Sequence, residues 1–161
     1  MKWLRVKHET LARRRRAWRE VSYIVGSLDG LPAFFKNGLY SLTRAGLPDC
    51  EIRRAFERCG AWVARVKDGV GECECGCGTK RPVDAKNAQG QSVWCLDHDG
   101  QRKAFRGVLY QKCNTELGDG TARRKMAHAS YALAHDARLA EAETALTRDA
   151  NEFGAAGAVL D

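Results

Sequence analysis

Seven cysteines, an aspartate beside a histidine, and an asparagine beside a cysteine are the residues with chemical potential in this 161-residue chain. Cys73, Cys75 and Cys77 fall within the short run CECGC. A structural zinc site needs four soft or imidazole ligands in a tetrahedron. The CECGC run can supply two of them from a tight knuckle, and Cys113 a third. The fourth is either Cys95 or a third thiolate from the upstream cluster; the position that would complete a second C-x-x-C with Cys113 is Tyr110. Cys50 and Cys59 lie in a helical pattern and read as core thiols.

Asp97 and His98 suit a hard cation and a proton acceptor respectively. Neighbours in a strand point to opposite faces, so a shared site needs a twist or bulge at the hairpin end. Asn114 offers a neutral oxygen to the same cation. Mg²⁺ (or Mn²⁺) suits such a site, with water and substrate phosphate filling the remaining positions. Arg106 and Lys103 are placed to clamp a phosphate. The chemistry these groups imply is hydrolysis of a phosphodiester, with Asp97, His98, Asn114 and Arg106 as the catalytic set.

The elements that must position them follow from pattern. Residues 92–98 (SVWCLDH) read as a strand, the turn follows, and residues 104–110 (AFRGVLY) pair back, with Gly107 allowing a bulge or a close backbone approach. Residues 111–117 read as a short helix. Upstream, Lys67–Glu72 reads as a Gly-containing link and residues 79–91 as a polar loop. Residues 1–26 read as a helix with an apolar stripe of Leu4, Leu11, Trp18, Val21 and Val25. Residues 31–46 suggest a helix closed by Gly46. Pro48 and Asp49 open another, lined by Ile52, Phe56, Cys59, Val63 and Val66. This pair has the look of a helix-turn-helix hairpin. After Thr121 an Ala-rich helix runs to about residue 151, with a seam of Met126, Ala129, Leu133, Ala137 and Ala140 for the core or a second copy. FGAAGAVLD reads as a loose tail.

Charge points to a polyanion. The net charge is +7, and Arg13, Arg14, Arg15 and Arg16 are consecutive. Neutralising phosphates releases counterions, which favours a basic chain on nucleic acid. Arg53, Arg54, Lys103 and Arg106 join those four as candidate DNA contacts. No apolar run is long enough to span a bilayer, and the N-terminus lacks the apolar centre of a signal peptide, so an intracellular, cytoplasmic setting is expected.

In order, LDHD (Leu96–Asp99), FRGVL (Phe105–Leu109) and CNTELG (Cys113–Gly118) resemble the phage recombination endonuclease VII branch of the HNH nucleases. That pattern runs from a cysteine pair through DHDH and RGLLC to CN-x-x-LG. The resemblance covers roughly residues 73–118. It implies a zinc-stabilised ββα-metal finger, metal-dependent cleavage of duplex or branched DNA, and a phage or mobile-element origin in a bacterial host. The metal aspartate falls on Asp97, its adjacent histidine on His98, the metal asparagine on Asn114, and the zinc cysteines on Cys73–Cys77 and Cys113. Gly100 stands where the pattern has a second histidine, and Tyr110 where it has a cysteine. The expected fold is therefore α+β, mainly helical: a basic docking region (1–70), the nuclease core (71–120) and a C-terminal helix and tail (121–161) able to dimerise. The alternatives are a zinc-stabilised DNA-binding protein with an inactive centre, or an accessory factor in phage DNA packaging or recombination.

Overall fold

The computed structural model describes residues 15, 16, 18–118 and 126–157. Leu4, Leu11, Arg13, Arg14 and Thr121 lie outside them. The chain mixes helices with two small antiparallel sheets. Residues 18–25 form α1, on which Val21 and Ile24 are buried. Next come α2 (Ala33–Arg44) and α3 (Asp49–Ala64). The turn between them contains Gly46 at φ +79°, a left-handed conformation that glycine adopts without cost. Pro48 caps α3, and Asp49 and Glu51 sit in its first turn, where the helix dipole favours carboxylates. Ile52, Ala55, Cys59 and Trp62 form its buried face. Cys50 is exposed, contrary to its reading as a core thiol. It lies about 160° around the helix from Ile52, off the buried stripe.

Two segments read as loops are strands. β1 (Val70–Glu72) pairs with β2 (Lys80–Pro82), so the cysteine run is the loop of a small hairpin. Two tryptophans anchor it: Trp62 Nε1 donates to the Glu72 carbonyl at 2.7 Å and Trp94 Nε1 to that of Pro82 at 2.9 Å. Their rings meet edge to face, 4.9 Å between centroids.

The second hairpin is β3 (Trp94–Asp99) and β4 (Ala104–Tyr110), followed without a break by α4 (Gln111–Gly118). α2 packs on β3 and α3 on β4. One hydrophobic cluster runs from Val21 to Cys113, so the helices of the expected docking region and the finger share a core. α2 comes so near β3 at Gly38 that a Cβ there would overlap the Leu96 side chain. Gly38→Ala is expected to cost about 1–3 kcal/mol through overpacking, read as a lower denaturant midpoint at unchanged slope.

The last helix, α5, runs Met126–Gly157, so residues 153–157 of the expected tail are helical. Its expected seam does not face the core. Leu133 is 68% exposed, and Ala137 and Ala140 are exposed, while His135 is buried and Tyr131 and Arg138 are half-buried. The side chains of Met126 and Ala129 lie outside the described residues. The inward stripe is polar and aromatic, so an apolar heptad does not find it.

Candidate metal centre

The knuckle brings three thiols to one point. Gly76 (φ +79°) and Gly78 (φ +73°) let the backbone curl between Cys75 and Thr79. Cys113 arrives from the first turns of α4. The sulfurs of Cys73, Cys75, Cys77 and Cys113 all lie within 4.8 Å of one another. Cys73 and Cys75 sulfurs are 3.3 Å apart, and those of Cys77 and Cys113 3.6 Å. A tetrahedral zinc with bonds of about 2.3 Å has sulfur–sulfur edges of about 3.8 Å, so the cluster is of the right size for zinc. The upstream run thus gives three ligands, and Tyr110 is not needed as one. Its backbone N–H instead donates to Cys73 Sγ at 3.2 Å. Cys95, half-buried on β3, is outside the cluster.

Electrostatics sets the four thiols apart. Burial pushes Cys73, Cys75 and Cys113 up, the last to about 12. Cys77 also feels burial, but the Thr79 hydroxyl and amide and the neighbouring thiols draw it down to about 7. Four thiolates cannot share this space without a cation, and a bound zinc supplies one.

Glu74, inside the knuckle, ties it to the rest of the chain. Its Oε2 accepts from the Val108 N–H at 2.8 Å. Its Oε1 takes Arg58 at 3.2 Å and Arg65 at 3.0 Å. Gly107 makes room for this, since a Cβ there would stand 2.8 Å from Glu74 Oε2 and 2.7 Å from the Tyr131 hydroxyl. Nothing in the pattern of single residues marks Glu74; only the proximity of the cysteines does.

The second site lies at the other end of the β3–β4 hairpin. Asp97 pairs with Gly107 and His98 with Phe105, so Arg106 has no partner across the ladder. This is a β-bulge, which bends the strand and re-aims its side chains. Asp97 is 3% exposed. Arg106 Nη2 donates to its Oδ1 at 2.9 Å, and Arg106 Nε stands 2.8 Å from Oδ2. Tyr131 of α5 donates to Oδ2 at 3.4 Å. Burial pushes the Asp97 carboxyl up and the Arg106 guanidinium opposes it. Burial also lowers His98, with Arg106 and Lys103 adding to the effect and Asp97 and Asp99 resisting.

Other expected residues are placed less centrally. Asn114 is half-buried on α4 and is not among the groups bonded to Asp97. Lys103, at φ +51°, gives its Nζ to the Ala45 carbonyl at 2.9 Å. Arg15, Arg16 and Arg53 are exposed, and Arg54 lies 3.6 Å from Glu51. The sequence reading missed a basic groove lined by Arg81, Lys86, Tyr110 and Lys112, in which Arg81 stacks 5.9 Å from the Tyr110 ring centroid. It also missed His135. That ring is 7% exposed, with Nδ1 3.4 Å from Arg138 Nη2 and Nε2 without a partner among the described residues.

Arg106→Leu is expected to cost about 3–5 kcal/mol, because it strands the Asp97 charge in the interior. Urea unfolding at neutral pH measures this, and Asp97→Asn combined with Arg106→Leu should recover part of the loss.

Among the described residues no helix is long and apolar enough to cross a membrane. No family model, no curated protein and no solved structure matches the chain.

Proposed function

We propose that this chain is a metal-dependent DNA endonuclease of HNH type, with β3, β4 and α4 as its ββα-metal finger and a zinc on Cys73, Cys75, Cys77 and Cys113. The observation that carries the reading is the bulge at Arg106. It lies on β4 opposite the Asp97–His98 step, and Arg106, the residue it leaves unpaired in the ladder, is the one that reaches the Asp97 carboxylate. The helix bearing Asn114 begins directly after β4 and touches both strands.

His98 takes a proton from water, whose oxygen bonds to phosphorus as the P–O3′ bond breaks, leaving a 5′-phosphate and a 3′-oxygen that is protonated from solvent. Asp97 and Asn114 would hold a magnesium or manganese ion, which would supply positive charge to the phosphate and the departing oxygen. Carboxylate and amide oxygens suit either ion. Arg106 pairs with Asp97, and its guanidinium would also offer donors to a phosphate bound beside that carboxylate. The groove of Arg81, Lys86 and Lys112, with exposed Arg15, Arg16 and Arg53, gives the duplex a basic surface.

A second reading is a zinc-stabilised DNA-binding protein with an inactive centre. The complete pairing of Asp97 by Arg106, together with Gly100 at the second histidine position, favours it. Incubation with supercoiled plasmid and branched DNA in Mg²⁺ or Mn²⁺ separates the two. Nicking supports the enzyme; tight, salt-sensitive binding without nicking supports the binder.

A further inference from the structure

We propose that the Nε2–H of His135 is a phosphate-binding donor, brought from α5 to the turn of the β3–β4 hairpin beside the Asp97–His98 site. The inference rests on the nuclease reading for the identity of the phosphate, a DNA phosphodiester.

The tautomer follows from the neighbours. A guanidinium can only donate, so Arg138 Nη2 gives its proton to His135 Nδ1. The neutral ring then carries its own proton on Nε2. Burial favours that neutral form, and Arg106 adds to the effect. Nε2 is buried and has no acceptor among the described residues. Buried donors are nearly always paired, so an unpaired one calls for a water, an ion or a ligand as its acceptor.

The surrounding charges define the partner. Arg106, Asp99, Asp136 and Arg102 bear on the ring. Both carboxylates are already engaged: Asp99 Oδ1 accepts from the Gln101 and Arg102 amides at 2.9 and 3.0 Å, and Asp136 pairs with the Arg102 side chain. Arg106, Arg102 and Arg138 are ion-paired as well, so the group left uncommitted is the Nε2–H itself. An oxyanion that only accepts hydrogen bonds fits that donor, and a phosphate does so with several oxygens.

The Arg102–Asp136 bridge ties the hairpin turn to α5 one residue past His135. Both side chains are about half exposed, at 51% and 53%. A polyanion competes with Asp136 for Arg102.

Glutamine and asparagine give the test its specificity, since a glutamine amide nitrogen reaches the place of Nε2 and an asparagine one does not. Full-length protein with His135→Gln, His135→Asn or His135→Leu is titrated against a fluorescent duplex without added divalent cation, after its zinc content and melting temperature are checked. His135→Gln should bind like the parent, with Asn and Leu weaker by about ten- to a hundredfold. Equal binding by all three, or a glutamine variant as weak as leucine, overturns the proposal. Nitrogen NMR of the parent needs no variant: the His135 ring should show the Nε2–H tautomer, and its signal should move with inorganic phosphate. An unmoved signal overturns the proposal as well. A parent that neither cuts nor binds DNA, yet shifts His135 with phosphate, loses the nuclease reading and keeps the anion site. A parent that cuts while His135 stays silent and its variants bind equally does the reverse.

Discussion

Serine at position 113 is expected to strip the chain of zinc and unfold it. Cys113 is the one ligand of the cluster that does not come from the β1–β2 loop, so it alone closes that loop onto α4. Structural zinc contributes about 10–16 kcal/mol in zinc-finger peptides, and small domains are stable by about 5–15 kcal/mol. Losing the metal therefore removes free energy comparable to the whole net stability of a small domain. Atomic absorption on gel-filtered protein should give one zinc per parent chain and almost none for Cys113→Ser, with the cooperative thermal transition lost. Cys95→Ser is the control: its sulfur lies outside the cluster, so stoichiometry and melting should stay at parent values. Zinc lost from Cys95→Ser and kept by Cys113→Ser would reverse the assignment. Because Cys73, Cys75 and Cys113 are held as thiols by burial, zinc entry displaces protons, and affinity should climb with pH.

The chain shows why some parts of a fold are readable and others are not. The span Ala104–Tyr110 and the helix after it emerge directly from residue type, since β-branched and aromatic residues give way to a polar helical run. The helical hairpin is equally plain, because Gly46 and Pro48 punctuate it. β1 and β2 are invisible to the same logic. Each is three residues long, and each is held by tryptophans from other elements rather than by its own pattern. Gly71 looks like a hinge residue but is a glycine because Trp62 lies over it, 2.2 Å from where a Cβ would be. The inward face of α5 is hidden for a different reason. Tyr131, His135 and Arg138 are polar or amphipathic, and what makes them interior is the charged hairpin they meet. A candidate metal site was legible because few other roles explain three cysteines in CECGC. Choosing among five candidate sulfurs required distances.

Loss of the His98 imidazole should slow plasmid nicking by about 10²- to 10⁴-fold, the usual share of a positioned general base. His98→Ala is the cleaner of two central substitutions. The described hydrogen bond at His98 uses its carbonyl, not its ring, so trimming the ring leaves the backbone contact with Arg106 in place. Zinc content and melting temperature should therefore stay near parent values while the rate falls. Asp97→Asn should also abolish nicking, by removing the charge that draws the cation. It simultaneously takes the counter-ion from Arg106, so a fall in stability accompanies it. The contrast between the two separates chemistry from folding. If His98→Ala nicks at the parent rate with zinc intact, the ring takes no proton and hydrolysis belongs elsewhere in the chain or to a contaminant. If the parent itself fails to nick in Mg²⁺ or Mn²⁺ while binding DNA with a steep salt dependence, Arg106 has kept its hold on Asp97. The bulge then serves an ion pair and not a metal, and the basic groove is the working surface.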